Sequence, residues 1–218
     1  FKINDQDQEC AVTVYLKKNH EIYAQQQYIY EVKNKTHNIH TTKHVDIVED
    51  YLNVGVVGKD FNAIFSKQKG LVSYRYHQQE YIRGPVRPNF FRAATNNDVE
   101  NKYGYRYGKW LTASLYAKCE FVGISKGDCS CKIEYAYDLP NLQDEKVHLV
   151  YEVYGDGKII VDMSYQPVVS EIEMPVFGLI FQLYKDMEEV NYYGFGPEEN
   201  YIDRNKGALL GKYTYQVT

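Results

Sequence analysis

Two short runs of the sequence combine acidic, amide, aromatic and arginine side chains, and chemistry is most readily expected there. They cover residues 88–98 and 194–204. Glycoside hydrolysis needs two carboxyl groups that flank the scissile bond, and the second run holds the acidic cluster Glu198, Glu199 and Asp203. Because acids on loops are mostly solvated, and the glycines and proline of this run predict a rigid bend, we predict no catalytic residue in this chain.

The first run ends in Thr95-Asn-Asn-Asp98, which suits either a sugar-hydroxyl or cation site or an Asx-turn that needs no ligand. We favour the turn. Arg92 follows two phenylalanines, where a guanidinium is expected to stack on a ring and to pair with a carboxylate. Its expected partner is Asp98 or Glu199, and Arg92 is therefore predicted to be a structural anchor.

The composition argues against several classes of protein. The 218 residues carry a net charge of −4 with both signs interspersed and no long basic run, so a nucleic-acid partner is not expected. No apolar run approaches the roughly 18 residues of a membrane-spanning helix, so no membrane partner is expected. The chain has 23 tyrosines and one tryptophan, and tyrosine suits half-buried strands as well as sugar recognition.

Cysteine and histidine form no convincing metal-binding pattern. Cys129 and Cys131 lack a second pair at the usual offset, and we predict that all four cysteines are reduced thiols of a cytoplasmic protein. His37, His40 and His44 would share one face of a helix and could bind a metal. However, the neighbouring threonines and asparagines disfavour a helix there, so a solvated linker is favoured and no metal site is predicted.

Residues of strand-forming type alternate with a period of two along most of the chain, which predicts antiparallel strands. One short helical turn is predicted near residues 98–107, and Asp156-Gly157 predicts a tight hairpin. Residues 33–50 are polar and poorly periodic, and we place a domain boundary there. The predicted strands cover residues 10–16, 21–30, 52–57, 61–65, 71–76, 115–124, 131–137, 147–154, 158–165 and 176–184.

Together, the two runs at residues 88–98 and 194–204 resemble paired signatures of the C-terminal β-sandwich of family 2 β-galactosidases. The pattern Gly-Pro-x-Glu-Asn-Tyr-x-Asp-Arg matches residues 196–204, and the pattern Asn-Phe-(Trp/Phe)-Arg-Ala-x-Thr-Asp-Asn-Asp matches residues 89–98. The second match departs from the usual pattern at Ala94, where proline is frequent, and at Asn96, where aspartate is frequent. The loss of that carboxylate weakens any cation site but leaves a hydrogen-bonding turn intact.

The resemblance implies an all-β fold. Residues 46–218 are expected to form a large antiparallel β-sandwich, a supersandwich similar to galactose mutarotase, that continues beyond residue 218. Residues 1–45 are expected to be the tail of an immunoglobulin-like β domain and a linker.

The resemblance also implies a function, that of a noncatalytic portion of a β-galactosidase that hydrolyses terminal β-D-galactosides with retention of configuration. The catalytic carboxylates would lie in a separate barrel domain, so this portion alone is expected to be inactive. It would pack on the barrel, border the sugar pocket, bring residues 138–145 near the sugar and contribute to a homo-oligomer. No cofactor is expected here, since any Mg and Na ions of the parent enzyme would bind its other domains.

The candidate site residues all come from the two runs. The predicted binding residues are Asn97, Asp98, Glu199, Asn200, Tyr201 and Arg204. The predicted structural anchors are Arg92 and Asp203.

Two other classes of function stay open on the sequence. The tyrosine content favours a free-standing carbohydrate-binding module, and the implied fold favours an aldose epimerase. An epimerase needs an acid and a base that face one pocket, commonly Glu and His. Only His77 and His148 fall in the predicted sandwich core, and neither lies in a recognisable motif.

Overall fold

The structure is a computed structural model. It describes residues 9–31, 41–140, 142, 145–167, 173–198, 200–201 and 204–217. The chain divides into two compact units: a terminal unit of Phe1–Ile39 and Lys185–Thr218, and a central unit of His40–Tyr184. Each unit is described by itself below.

The terminal unit begins with an antiparallel hairpin of strands β1 (Glu9–Lys18) and β2 (Glu21–Glu31). Asn19 and His20 connect the strands, and both have positive φ angles, of 51° and 69°. Such two-residue turns match the right-handed twist of the strands that they join. The two strands predicted over residues 10–16 and 21–30 are confirmed.

The central unit opens with a five-stranded antiparallel sheet in which consecutive strands are neighbours. Buried and less buried residues alternate along its central strand, so that Phe61, Ala63 and Phe65 share the inner face. The strands are β3 (Asp46–Glu49), β4 (Asn53–Val57), β5 (Phe61–Ser66), β6 (Gly70–Tyr76) and β7 (Gln79–Glu80).

A short strand and three helices follow: β8 (Arg87–Asn89), α1 (Asn96–Glu100), α2 (Tyr103–Arg106) and α3 (Gly108–Tyr116). The sequence predicted only one helical turn here and a strand that began at Leu115. That strand start was wrong, because α3 runs to Tyr116. Its buried residues Trp110, Ala113 and Ser114 have the i, i+3, i+4 spacing of one helix face, and this contact outweighs the strand propensity of the segment.

The second sheet of the central unit has four antiparallel strands in the order β12, β11, β10, β9. Tyr154 N donates to Lys158 O (2.9 Å) at the turn between β11 and β12, and Gly157 has a φ of +92°. The predicted hairpin is therefore confirmed. The strands are β9 (Lys118–Lys126), β10 (Ser130–Asp138), β11 (Lys146–Tyr154) and β12 (Ile159–Tyr165).

The inner faces of these two sheets pack on each other and form one hydrophobic core. The rings of Phe65 and Tyr151 meet edge to face, with centroids 5.2 Å apart, and the Tyr135 hydroxyl donates to Ser66 O across the layers at 3.1 Å. The predicted all-β antiparallel sandwich is confirmed. Fully buried core residues include Val54, Val56, Ala63, Phe65, Ile133, Val147, Leu149, Tyr151 and Val153.

The single strand predicted over residues 176–184 was wrong in length. Only β13 (Gly178–Ile180) forms there, and it pairs with the equally short β8. Further along, Leu183 makes an isolated bridge to Ile82.

No helix in the described part of the chain is long and apolar enough to cross a membrane.

The terminal unit ends with a second antiparallel hairpin, β14 (Glu189–Gly196) and β15 (Leu209–Gln216), which the sequence did not predict. Gln27 of β2 joins the two hairpins, since its amide donates to Leu210 O (2.9 Å) and accepts from Leu210 N (2.7 Å). The division into an immunoglobulin-like tail over residues 1–45 and a sandwich domain over 46–218 stays a prediction.

Candidate functional site

The run of residues 88–98 lies in the central unit and leads into α1. Thr95 is the N-cap of this helix, and its hydroxyl accepts a hydrogen bond from Asp98 N (3.3 Å). In return, Asp98 Oδ2 accepts from the Thr95 amide (2.7 Å) and the Thr95 hydroxyl (2.8 Å). This reciprocal arrangement is a capping box, which satisfies amide groups that the first helical turn leaves unpaired.

Arg92 pairs with the same carboxylate. Its Nη1 donates to Asp98 Oδ2 (2.7 Å), and its Nη2 lies 3.5 Å from Asp98 Oδ1. The guanidinium lies over the ring of Tyr103, 5.3 Å from the centroid, and the Tyr103 hydroxyl donates to Arg92 O (3.2 Å). Of the two partners expected for Arg92, Asp98 is thus in contact with it, whereas Glu199 lies outside the described residues.

This ion pair is only partly buried. The side chains keep 31% (Arg92) and 20% (Asp98) of their exposure to solvent, so removing one partner should cost less stability than it would in a fully buried pair. The hydrogen bond from Arg92, followed by those from the Thr95 amide and hydroxyl, holds the pKa of Asp98 at about 2. The carboxylate is therefore ionised at neutral pH and cannot act there as a general acid.

We expect Asp98→Asn to remove part of the acid sensitivity of the fold. The pKa of Asp98 moves from the usual 3.8 to about 2 on folding. Between these pH values the unfolded chain binds more protons than the folded chain, so stability falls as the pH falls. Above about pH 5 the contribution is fully present.

Urea unfolding at pH 7, pH 4 and pH 2.5 measures this effect. The parent chain should lose stability more steeply below pH 4 than Asp98→Asn does. Asn97→Ala is the matched control, because it alters the same helical turn without removing a carboxyl group, and it should keep the parent's slope. Equal slopes for Asp98→Asn and the parent would contradict the assignment.

Asn97 is the part of this run that stays open to solvent. Its backbone carbonyl accepts hydrogen bonds from the backbone amide (3.2 Å) and the side-chain Nδ2 (3.0 Å) of Asn101. Its own side chain is exposed and makes no hydrogen bond to a described residue. An amide in this state can both donate and accept, as recognition of sugar hydroxyls requires.

The run of residues 194–204 lies in the terminal unit and connects β14 to β15. The bend contains a cis peptide bond between Gly196 and Pro197. Asn200 Nδ2 donates to Phe195 O (3.1 Å), so this amide holds the bend. Tyr201 and Arg204 close a further turn, in which Arg204 N donates to Tyr201 O (2.8 Å), and both side chains are exposed.

The predicted site residues are therefore divided between the two compact units. Arg92, Asn97 and Asp98 come together in the central unit, and Asn200, Tyr201 and Arg204 lie near one another in the terminal unit. The predictions for Glu199 and Asp203 fall outside the described residues. That all the predicted binding residues serve one sugar site stays a prediction.

Comparison with known proteins identifies the family. The family model described as the beta galactosidase small chain matches residues 57–218, about three quarters of the chain. The chain belongs to this family. The resemblance drawn from the two sequence runs is thereby confirmed, because the matched span contains both of them.

Curated relatives agree with this assignment. A β-galactosidase of Clostridium acetobutylicum is 39% identical over 94% of this chain and 23% of its own length. One from Streptococcus thermophilus is 32% identical over 94% of this chain and 20% of its own length. A protein described as a β-galactosidase small subunit, from Latilactobacillus sakei, is 26% identical over 79% of this chain and 61% of its own length. The chain thus spans only about a fifth of the first two relatives.

A buried carboxylate in this member of the small-chain family escaped the sequence reasoning. Glu145 is only 6% exposed, and its Oε2 accepts a hydrogen bond from the Tyr165 hydroxyl. Burial, and then the neighbouring Glu145, raises the pKa of Tyr165. Residues 138–145 were singled out as a polar loop, but nothing local marks Glu145 for burial, since its partner lies 20 residues further along the chain.

A polar cleft of about 420 Å³ lies beside this pair, lined by Lys146, His148, Ser164, Tyr165 and Gln166. The register of β11 and β12 sets His148 directly opposite Ser164. Lys146 Nζ lies 3.1 Å from Asp138 Oδ1 and 3.2 Å from Glu120 Oε2, so its charge is balanced. The cleft can offer hydrogen bonds to a neutral polar ligand. The sequence alone carries no signal for it, because the site depends on strand register.

The described residues add no candidate for a metal site. Within the ranges that the structure describes, no group of three or more His, Cys, Asp or Glu side chains could hold a metal ion. His44 contacts Asp128 O (2.8 Å) and Asp46 Oδ1 (3.3 Å), and His37 and His40 fall outside the described residues. Cys10, Cys119, Cys129 and Cys131 are free thiols.

Proposed function

We propose that this chain is a noncatalytic portion of a β-galactosidase that hydrolyses terminal β-D-galactosides with retention of configuration. The observation that carries the proposal is the match of residues 57–218 to the β-galactosidase small-chain family. One relative, from Latilactobacillus sakei, is named a small subunit, which supports a role in association with other β-galactosidase polypeptides or domains. In this role the chain packs on the catalytic barrel and borders the sugar pocket.

The chemistry of the anchored carboxylates supports a noncatalytic role. Retaining hydrolysis uses one protonated carboxylic acid, whose pKa is raised, and one carboxylate nucleophile. Asp98 has its pKa lowered by Arg92 and Thr95. Partial burial acts to raise the pKa of Glu80, but hydrogen bonds from the Ser73 hydroxyl and two backbone amides lower it overall. Both groups are held as anions by the fold, so neither can serve as the neutral acid that the reaction needs.

The rest of the proposal concerns the setting of the parent enzyme. We place it in the cytoplasm as a homo-oligomer, with the residues of the two sequence runs at the border of the substrate site. Any Mg and Na ions would bind its other domains. The carbohydrate-binding module and the aldose epimerase remain the alternatives.

Exchange of the matching segment in a relative tests the proposal. Removal of the 205-residue matched segment from the Clostridium acetobutylicum β-galactosidase should abolish hydrolysis of a chromogenic β-galactoside. Insertion of the present chain in its place should restore hydrolysis, with a β-anomer as the first product in an NMR time course. The equivalent segment of the Streptococcus thermophilus enzyme is the matched control.

Two results would contradict the proposal. The first is full activity after the segment has been removed. The second is restoration by the Streptococcus thermophilus segment but not by the present chain, when both chimeras are folded and soluble.

A further inference from the structure

Two turns at one end of the first sheet border a polar cleft that lies outside both sequence runs. The turn of residues 58–60 joins β4 to β5, and the turn of residues 77–78 joins β6 to β7. His77 N donates to Asp60 O (2.9 Å), so the two turns are bonded to each other. The cleft has a volume of about 330 Å³, and its polar lining residues are Lys59, Asp60, Asn62, Arg75, His77 and Gln78.

The lining of this cleft carries an excess of positive charge. Lys59 and Arg75 are cationic at neutral pH, and neither takes part in the ion pairs found among the described residues. The only acid in the described lining is Asp60. Its Oδ2 already lies 3.6 Å from Lys43 Nζ. The cleft is therefore positive, although the whole chain has a net charge of −4.

The carboxylate best placed to neutralise Arg75 is bonded to other groups. Glu80 lies directly opposite Arg75 in the register of β6 and β7. However, its carboxylate accepts hydrogen bonds from the Ser73 hydroxyl and from the backbone amides of Tyr74 (2.9 Å) and Ile82 (3.2 Å). With these bonds in place Glu80 forms no ion pair with the guanidinium, and Arg75 stays exposed to solvent.

Strand register and turn geometry place further hydrogen-bond donors beside Arg75. Asn62 lies directly opposite Arg75 on β5, so the amide and the guanidinium share one face of the sheet. The imidazole of His77 packs edge to face on the ring of Tyr76, with centroids 4.3 Å apart, which restricts its orientation. His77 and Gln78 have φ angles of 45° and 69°, as two-residue hairpin turns require.

We propose that this cleft binds the phosphate group of a small ligand. A cleft lined by one sign of charge concentrates ions of the opposite sign, and the planar guanidinium of Arg75 can donate two parallel hydrogen bonds to a phosphate. Lys59 supplies a second positive charge. The amides of Asn62 and Gln78 can donate to the remaining oxygens. The cleft is larger than a phosphate ion, so the hydroxyl groups of a phosphorylated sugar also have room.

The surroundings of the cleft disfavour a large polyanion. Nucleic acids bind basic side chains that are spread along one face of a protein. Here, strand pairing places Val57, Asn62 and Arg75 in one row across the sheet, and the row has an acid at each end, Asp46 on β3 and Glu80 on β7. A long polyanion that followed this row would meet both carboxylates, whereas a small ligand avoids them.

Calorimetric titration of the 218-residue chain at constant ionic strength tests the proposal. The three probes are inorganic phosphate, galactose 6-phosphate and galactose. We expect saturable binding of a phosphate-bearing probe and none of galactose. Equal affinity for the first two probes would identify free phosphate as the source of the ligand, and tighter binding of galactose 6-phosphate would identify a phosphorylated sugar. Backbone amide shifts in NMR spectra should change over residues 58–62 and 75–78.

Variants that remove one charge decide whether the bound phosphate lies in this cleft. Arg75→Gln should weaken binding by at least about tenfold, and Lys59→Gln by about two- to fivefold. The matched control is Arg106→Gln, which removes the same charge from an exposed residue of α2 outside the cleft and should keep the parent's affinity. The absence of saturable phosphate binding would overturn the proposal. So would equal affinities of the Lys59→Gln, Arg75→Gln and Arg106→Gln variants.

Discussion

The 218-residue chain alone should hydrolyse no β-galactoside at a measurable rate. Hydrolysis with retention needs two carboxyl groups about 5–5.5 Å apart, one of them protonated. Three of the acids that have hydrogen-bond partners in the structure serve other purposes. Asp98 caps a helix and pairs with Arg92, Glu80 accepts from Ser73 and two backbone amides, and Glu145 accepts from Tyr165.

A chromogenic β-galactoside and the purified chain are sufficient to measure this, with the Clostridium acetobutylicum enzyme as the positive control. The expected contrast is the whole of the enzymatic rate enhancement, which commonly exceeds about a million-fold. The acidic cluster of the second run supplies the decisive variants. Turnover by the chain that disappears with Glu198→Gln or Glu199→Gln would place a catalytic carboxylate in this portion after all.

Gly155→Ala should strongly destabilise the central unit, and far more than Gly123→Ala should. Gly155 lies after β11, and its amide donates to Cys129 O (2.9 Å). A Cβ at this position would lie 1.8 Å from Lys43 O and 2.5 Å from Lys43 C. Both are backbone atoms and cannot rotate away, so the turn and the segment before β3 must move apart.

The expected loss is about 3 kcal/mol, the upper part of the range for overpacking, which corresponds to a fall of roughly 6–12 °C in the thermal midpoint. Gly123→Ala is the matched control. Gly123 lies in β9, and a Cβ there would contact nothing within 4 Å, so its effect should stay within about 0.5 kcal/mol. Equal melting curves for the two variants would show that residue 43 does not approach Gly155 so closely.

The strands could be predicted from the sequence wherever one face of the strand is buried and the other is more exposed to solvent. In β5, Phe61, Ala63 and Phe65 alternate with less buried residues, and a period of two predicts such a strand. The hairpin at Gly157 could also be predicted from the sequence, because Asp-Gly tolerates the positive φ that the turn requires. Asp98 was one of the two partners expected for Arg92, and the structure shows this pair.

Prediction failed where a segment's partner lies far along the chain. Helix α3 buries Trp110, whose indole N–H donates to Glu173 O (2.9 Å), and Ser114, whose hydroxyl accepts from Phe90 N (2.8 Å). Local propensity was a poor guide there because tertiary contacts outweigh it. The hairpin of β14 and β15 was missed for a similar reason, since Gln27, about 180 residues earlier in the chain, provides one of its partners.

The sequence by itself determined the type of structure and the family. Alternating residues predicted β structure, and two dense motifs sufficed to suggest a β-galactosidase small chain, because both signals are local and survive in a one-dimensional pattern. Only the tertiary structure decided which buried polar groups meet. Glu145 finds Tyr165, and the hydroxyls of Tyr137 and Tyr151 converge on Gly70. These encounters depend on strand register and on how two sheets pack, and a shift of one residue in register would turn each side chain to the opposite face.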